Sequence, residues 1–225
     1  MKTDLLSSGI FTISEAALLL GVPSRRIRWW TSNPHTAPII TKTVPSIDHR
    51  IALSFVNLVE AYFINTFSQW GMHLNSIRVM AKEARVFLNH EHPFATEMIF
   101  KTDGKKIFVQ TLEKTGDPKL YDLKAHNWAM PAILEKAFKH DVLYGPSGLA
   151  SLWYPRKEKS PNVVINPKIA FGKPAIEKYG VPTKTLFEAA VASNSTIASV
   201  AEWYEIPLKL VRQAVAFERQ IATLH

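Results

Sequence analysis

Two stretches of the chain, TISEAALLLGVPSRRIRWW at residues 12–30 and TIASVAEWYEIPLKLVRQA at residues 196–214, align without a gap at a constant offset of 184. Each reads as two short helices joined by a tight turn. Helices in such a pair pack closely only if the first carries a small residue at the crossing and the turn reverses the chain sharply. Ala17 and Ala201 occupy the crossing position. Gly21 suits the left-handed turn conformation because it has no Cβ, whereas Glu205 stands in its place in the second copy. A helix-turn-helix at each end makes the chain mainly helical and confines strands to short pieces between the helices.

The two copies bury similar residues and expose different ones. In the front copy Ala16, Leu20, Val22, Ile27 and Trp30 fall on the inner side, leaving Ser24, Arg25, Arg26, Arg28 and Trp29 outside. Three arginines at the start of a presented helix suit phosphates and guanine edges, and the positive end of the helix dipole favours an anion. In the rear copy Val200, Tyr204, Ile206, Val211 and Ala214 fall inside, and Leu208, Lys209, Leu210, Arg212 and Gln213 outside. Two leucines on a presented face suit a protein interface, or packing against the chain's own NVVIN segment.

Charge and composition agree with a polyanion as partner. The 225 residues carry a formal charge of +8 and no cysteine, which excludes disulfides and thiolate metal sites and fits a reducing cytoplasm. No run of apolar residues is long enough to cross a membrane, and the first residues lack the pattern of a secretory signal. The case for catalysis is empty. His90-Glu91-His92 has no metal-ligand spacing and reads as a solvated loop, Gly172-Lys173-Pro174 lacks the remainder of a phosphate loop, and no nucleophile has a recognisable context. A non-enzymatic protein without cofactor or metal is expected.

Between the copies, PIITKTV and SIDHRI suit short strands or a wing; if the chain is a DNA-binding repressor, Lys42 and Arg50 are the residues expected to hold that wing to the backbone. Phe55, Leu58, Val59, Tyr62, Phe63 and Phe67 form a helical stripe ending at Gly71, and Leu74 to Leu88 repeats the pattern. TEMIFKTDGKKIFVQTLEK then reads as a β-hairpin turning at Asp103-Gly104, because both central residues of a tight hairpin turn need positive φ. WAMPAILEKAFKH suits a short helix, and LWYP a docking segment. The expected fold is α+β, mainly helical with small β elements. It comprises a winged helix-turn-helix domain (1–90), a β-hairpin and helix connecting region (91–143), a linker (144–160) and a helical domain with the second helix-turn-helix (161–225).

Residues from Phe11 to about Ala84 resemble a MerR-type winged helix-turn-helix, on FTISEAALLLGVPSRRIRWW, a wing ending near Arg50, and the helical pair that follows. The resemblance places Arg25 and Arg28 at DNA-facing positions, Trp29 where the family has a tyrosine near phosphates, and Arg50 at the wing arginine. Residues 161–221 are similar to an antitoxin-type domain of unknown function encoded beside PIN-like ribonuclease toxins, on VVINPKIAFGKPAI, VPTKTLFEAAVAS and the terminal helix-turn-helix. The usual Gly-Thr-Arg of that domain is Lys178-Tyr179-Gly180 here. Together the two resemble long VapB-type antitoxins, which implies binding of a PIN-like toxin and repression of the operon by a homodimer on an inverted repeat. Phe171, Lys173, Leu208, Lys209, Leu210 and Arg212 are then the partner-facing set. A stand-alone MerR-like regulator with a C-terminal dimerisation or ligand-binding domain is the alternative.

Overall fold

A computed structural model describes residues 9–46, 50–100, 102–125, 139–192 and 195–223. The fold is α+β: helices carry the core, and three two-stranded antiparallel ribbons fasten its parts together. At the front, β1 (Ile10–Thr12) leads into α1 (Ile13–Leu20) and α2 (Ser24–Thr31). Strand β2 (Ala52–Ser54) pairs antiparallel with β1, Phe11 opposite Leu53, and passes directly into α3 (Phe55–Gln69).

Helix α3 begins where it does because Ser54 and Asn57 form a capping box. The Ser54 hydroxyl accepts from the Asn57 N–H at 3.2 Å, and the Asn57 side chain accepts from the Ser54 N–H at 3.3 Å. Asn57 also donates to the carbonyl of Thr41 at 2.8 Å and accepts from the hydroxyl of Thr43 at 3.1 Å. This is why PIITKTV is not the expected strand. Its backbone is held by Asn57, by the Arg85 guanidinium on the Ile39 carbonyl, and by the Trp30 carbonyl, which accepts from Ile39 and Ile40 at 2.8 and 3.1 Å. Those bonds replace a partner strand, and Ile39 and Ile40 are buried. Part of SIDHRI, residues 47–49, lies outside the described residues.

Helices α3 and α4 (Leu74–Leu88) pack as the stripes require. The predicted hairpin after them is instead a helix, α5 (Thr102–Thr115), which runs through Asp103 and Gly104 and packs along α4. The reason lies in the burial pattern: Ile107, Phe108, Thr111 and Leu112 are buried at helical, not alternating, spacing. Phe108 meets Phe67 edge-on at 6.3 Å, and Phe67 meets Phe94 at 5.5 Å, closing an aromatic core around α3. Burying each such ring stabilises by about 1.5–3 kcal/mol. The short helix expected over WAMPAILEKAFKH lies, apart from its last two residues, outside the described residues.

Helix α6 (Pro118–Ala125) is joined to α4 through Asp117, whose carboxylate accepts from the backbone N–H of Lys119 at 2.9 Å and of His73 at 3.1 Å. Burial alone would push this carboxyl up, but hydrogen bonds from Ser76, His73 and Lys119 outweigh it and hold the pKa below the ordinary value. A depressed carboxyl contributes stability above its unfolded pKa of about 4 that is lost as the pH falls through the lower folded value. Asp117→Asn is therefore expected to cost about 1–3 kcal/mol at neutral pH, because one helix-end N–H loses its acceptor. Urea denaturation at pH 7 and below pH 4 should show the gap between variant and wild type narrowing in acid.

A hairpin does exist, later than predicted. Strands β3 (Val142–Tyr144) and β4 (Ala150–Trp153) turn at Gly145–Leu149, within the stretch read as a linker. Trp153 of LWYP docks as expected. It is buried, lies 5.2 Å from the Tyr62 ring on α3, and exchanges backbone hydrogen bonds of 2.9 and 2.8 Å with Ile165. NVVIN forms β5 (Val163–Val164), paired with β6 (Ala175–Ile176). The chain ends in α7 (Thr183–Val191), α8 (Ile197–Trp203) and α9 (Leu208–Ala222), with α7 packed along α9. One continuous apolar core runs from Phe11 through α3 to Phe217.

Candidate nucleic-acid interface

The front helix-turn-helix is built by local chemistry that the residues dictate. Thr12 and Glu15 form a capping box that starts α1: Thr12 Oγ1 accepts from the Glu15 N–H at 3.1 Å, and Glu15 accepts from the Thr12 N–H at 2.8 Å. Gly21 ends it at φ 64°, and the Val22 N–H donates to the Ala17 carbonyl at 3.0 Å. Ala16, Ala17, Val22, Ile27 and Trp30 are buried as expected, and Leu20 is half-buried. Pro23 precedes α2, whose first turn has no side-chain cap.

On that scaffold Arg25, Arg26, Arg28 and Trp29 stand exposed, and Ser24 is half-buried. Among the described residues none of the three arginines takes part in an ion pair. Arg25, Arg26 and Trp29 border one concavity with Pro23. Arg28 and Arg50 line another with Thr12 and Ser14. Helix α2 and the segment before β2 thus bring two guanidinium groups to one cleft. Lys42 is exposed but lines neither concavity. Thr12 and Ser14 were not singled out from the sequence, although the capping box signals that they flank the start of α1.

The rear copy repeats the geometry. Thr196 and Ser199 form the capping box, Glu205 takes the left-handed conformation at φ 53°, and the Ile206 N–H donates to the Ala201 carbonyl at 3.0 Å. Val200, Ala201, Ile206, Val211 and Ala214 are buried, but Tyr204, expected inside, is 38% exposed beside an exposed Trp203. Of the two expectations for the leucines of the presented face, packing against the chain itself is the one observed. Leu208 and Leu210 are half-buried and pack against the core, because α9 lies on β5 and β6. Lys209 and Arg212 are exposed, and Gln213 accepts from the Asn162 amide at 3.1 Å.

The remaining residues of the partner-facing set lie on the 170–173 turn. Phe171 is 70% exposed at φ 54°. Lys173 is half-buried and paired with Glu15 of α1. Burial would raise the Glu15 carboxyl, but the bond from Lys173 and those from Thr12 prevail and hold it below the ordinary range. Gly172, at φ 81°, approaches the front so closely that a Cβ there would meet the Gly9 Cα at 3.1 Å and Phe11 at 3.2 Å. His92, read as part of a solvated loop, is instead buried, with Nδ1 3.0 Å from Glu60 Oε2 on α3. Among the described residues no cluster of three ligating side chains suits a metal, and no helix is long and apolar enough to span a membrane.

Residues 163–217 match the family model described as Protein of unknown function (DUF433). The chain is also 24% identical over 223 residues to the curated protein named "Putative antitoxin VapB45" from Mycobacterium tuberculosis (strain ATCC 25618 / H37Rv), covering 92% of each. This resemblance to a protein named as an antitoxin runs the length of the chain. The fold is shared with the crystal structure of Rv2018 from Mycobacterium tuberculosis, at a TM-score of 0.72 and 22% identity, covering 91% of this chain and 96% of that one.

Proposed function

We propose that the protein is a non-enzymatic antitoxin that binds and silences a PIN-like ribonuclease toxin in the cytoplasm and represses its own operon. The observation that carries the DNA-binding half is the outward set Arg25, Arg26 and Arg28 on the second helix of a well-formed helix-turn-helix, with Arg50 sharing the cleft of Arg28. The head is read as MerR-like, docking α2 in the major groove. A homodimer would set two such helices on an inverted repeat. The toxin-binding half draws support from the similarity to an antitoxin-named protein and from Phe171. A non-glycine residue in the left-handed region costs about 1–2 kcal/mol, and a large aromatic held there in solvent suits an anchor for a protein partner.

The alternative of a ligand-responsive regulator is favoured by one feature, a cavity of about 650 Å³ between α1 and the α7–α9 pair. Its walls include Phe11, Leu18, Phe187 and Ile221 together with Glu15 and Lys173. Co-expression with the product of the adjacent reading frame separates the two. The antitoxin reading expects a stable co-purifying complex and rescue of growth from that product. Free migration of both proteins and no rescue would overturn it.

A further inference from the structure

We propose that the rear helix-turn-helix is a second contact for duplex DNA, gripping the phosphate backbone through Lys209 and Arg212. The constant offset sets Lys209 at the position of Arg25 and Arg212 at that of Arg28, so the chain repeats its cations where it repeats its helices. The parts that aim those helices also match. Both turns have a left-handed residue, at φ 64° and 53°, both have a 3.0 Å hydrogen bond back to the crossing alanine, and both second helices are preceded by a proline.

The start of α9 exposes Lys209 and Arg212 beside Leu208 and Ala216, with Glu205 exposed in the turn before it. Leu208 and Leu210, the residues that argued for a protein partner, are drawn against the core, and Gln213 is tied to Asn162. Lys209 and Arg212 remain exposed, and neither takes part in an ion pair among the described residues. Lys159, from the loop after β4, lines the same concavity with both, and no carboxylate does so among the described residues. Three cations around a hollow at the uncapped start of a 15-residue helix suit a phosphate backbone. This goes beyond a reading in which the front helix alone holds DNA, and it moves Lys209 and Arg212 out of the set facing the toxin.

The test is fluorescence anisotropy of the full chain on a random-sequence duplex of about 40 base pairs, over a fourfold rise in salt from about 50 mM. Lys209→Ala with Arg212→Ala is compared with the wild type, and again in a background carrying Arg25→Ala and Arg28→Ala. Loss of two phosphate contacts lowers the slope of log affinity against log salt by about 1.8, so the wild type should lose about 12-fold more affinity than the rear variant over that range. The same drop is expected in the front-variant background, and a Lys209→Arg, Arg212→Lys exchange should preserve binding. Unchanged affinity and slope in both backgrounds would overturn the proposal, as would loss of the adjacent-frame product's binding with DNA binding intact. If the front variant alone binds like the wild type, the front reading fails while the rear comparison still decides this one.

Discussion

With Arg25 and Arg28 both replaced by alanine, operator DNA should be bound about 30- to 10⁴-fold more weakly, with capture of the toxin unchanged. Each arginine that reaches a guanine edge is worth about 1–3 kcal/mol, and about 1.4 kcal/mol is tenfold in affinity. Both side chains are exposed, so their truncation leaves the core of α1, α2 and α3 intact and separates recognition from folding. Mobility shifts at moderate salt, paired with co-purification of the toxin, read both properties in one preparation. An undiminished shift would mean that α2 is not the recognition helix. Arg50→Ala should show a smaller loss that is uniform across sequences, as a backbone contact requires.

The largest effect on stability is expected at Trp153→Ala. Truncating a buried tryptophan costs about 3–5 kcal/mol, and in a chain of this size that lowers the melting temperature by roughly 6–20 °C. The loss falls on the contact with α3, where Trp153 rests on Tyr62, because the backbone bonds to Ile165 survive the truncation. Tyr62 is itself held there, donating to Asp141 at 2.8 Å. Trp153→Phe keeps an aromatic ring against Tyr62 and should lose less. Differential scanning calorimetry would show one transition moving as a unit. A variant melting within a degree or two of the wild type would mean that the Trp153–Tyr62 contact does not hold β4 against α3.

The elements legible in the sequence are those whose local chemistry is self-sufficient. Thr12, Glu15, Ala17 and Gly21 specify a capped helix, a close crossing and a left-handed turn within ten residues, and Thr196, Ser199 and Ala201 repeat most of that set. What misled was a local signal overruled at a distance. Asp103-Gly104 is a strong hairpin pair, yet α5 runs through it, with Ile107, Phe108 and Leu112 buried at helical spacing as the helix packs along α4. The true hairpin turn, Gly145–Leu149, looked like a linker for want of long alternating strands beside it.

The candidate site was legible where exposure follows from helical periodicity, as at Arg25, Arg26, Arg28 and Trp29. It was not legible where exposure depends on which other element lies alongside. For Leu208 and Leu210 the sequence leaves a partner and the chain's own NVVIN segment both open, because nothing in α9 itself reveals that β5 and β6 lie against it. Lys173 seemed available to a partner, and only the folded chain brings it 158 residues back to Glu15. His92 likewise acquires its role from Glu60, on a helix more than thirty positions earlier.

Gly172 set against Gly9, Lys173 bonded to Glu15, and a core cluster that runs from Phe11 to Phe217 tie the two ends together among the described residues. Thermodynamic linkage then makes any effect between them reciprocal. If a protein seated on the last helices alters operator affinity by some factor, an occupied operator alters the grip on that protein by the same factor.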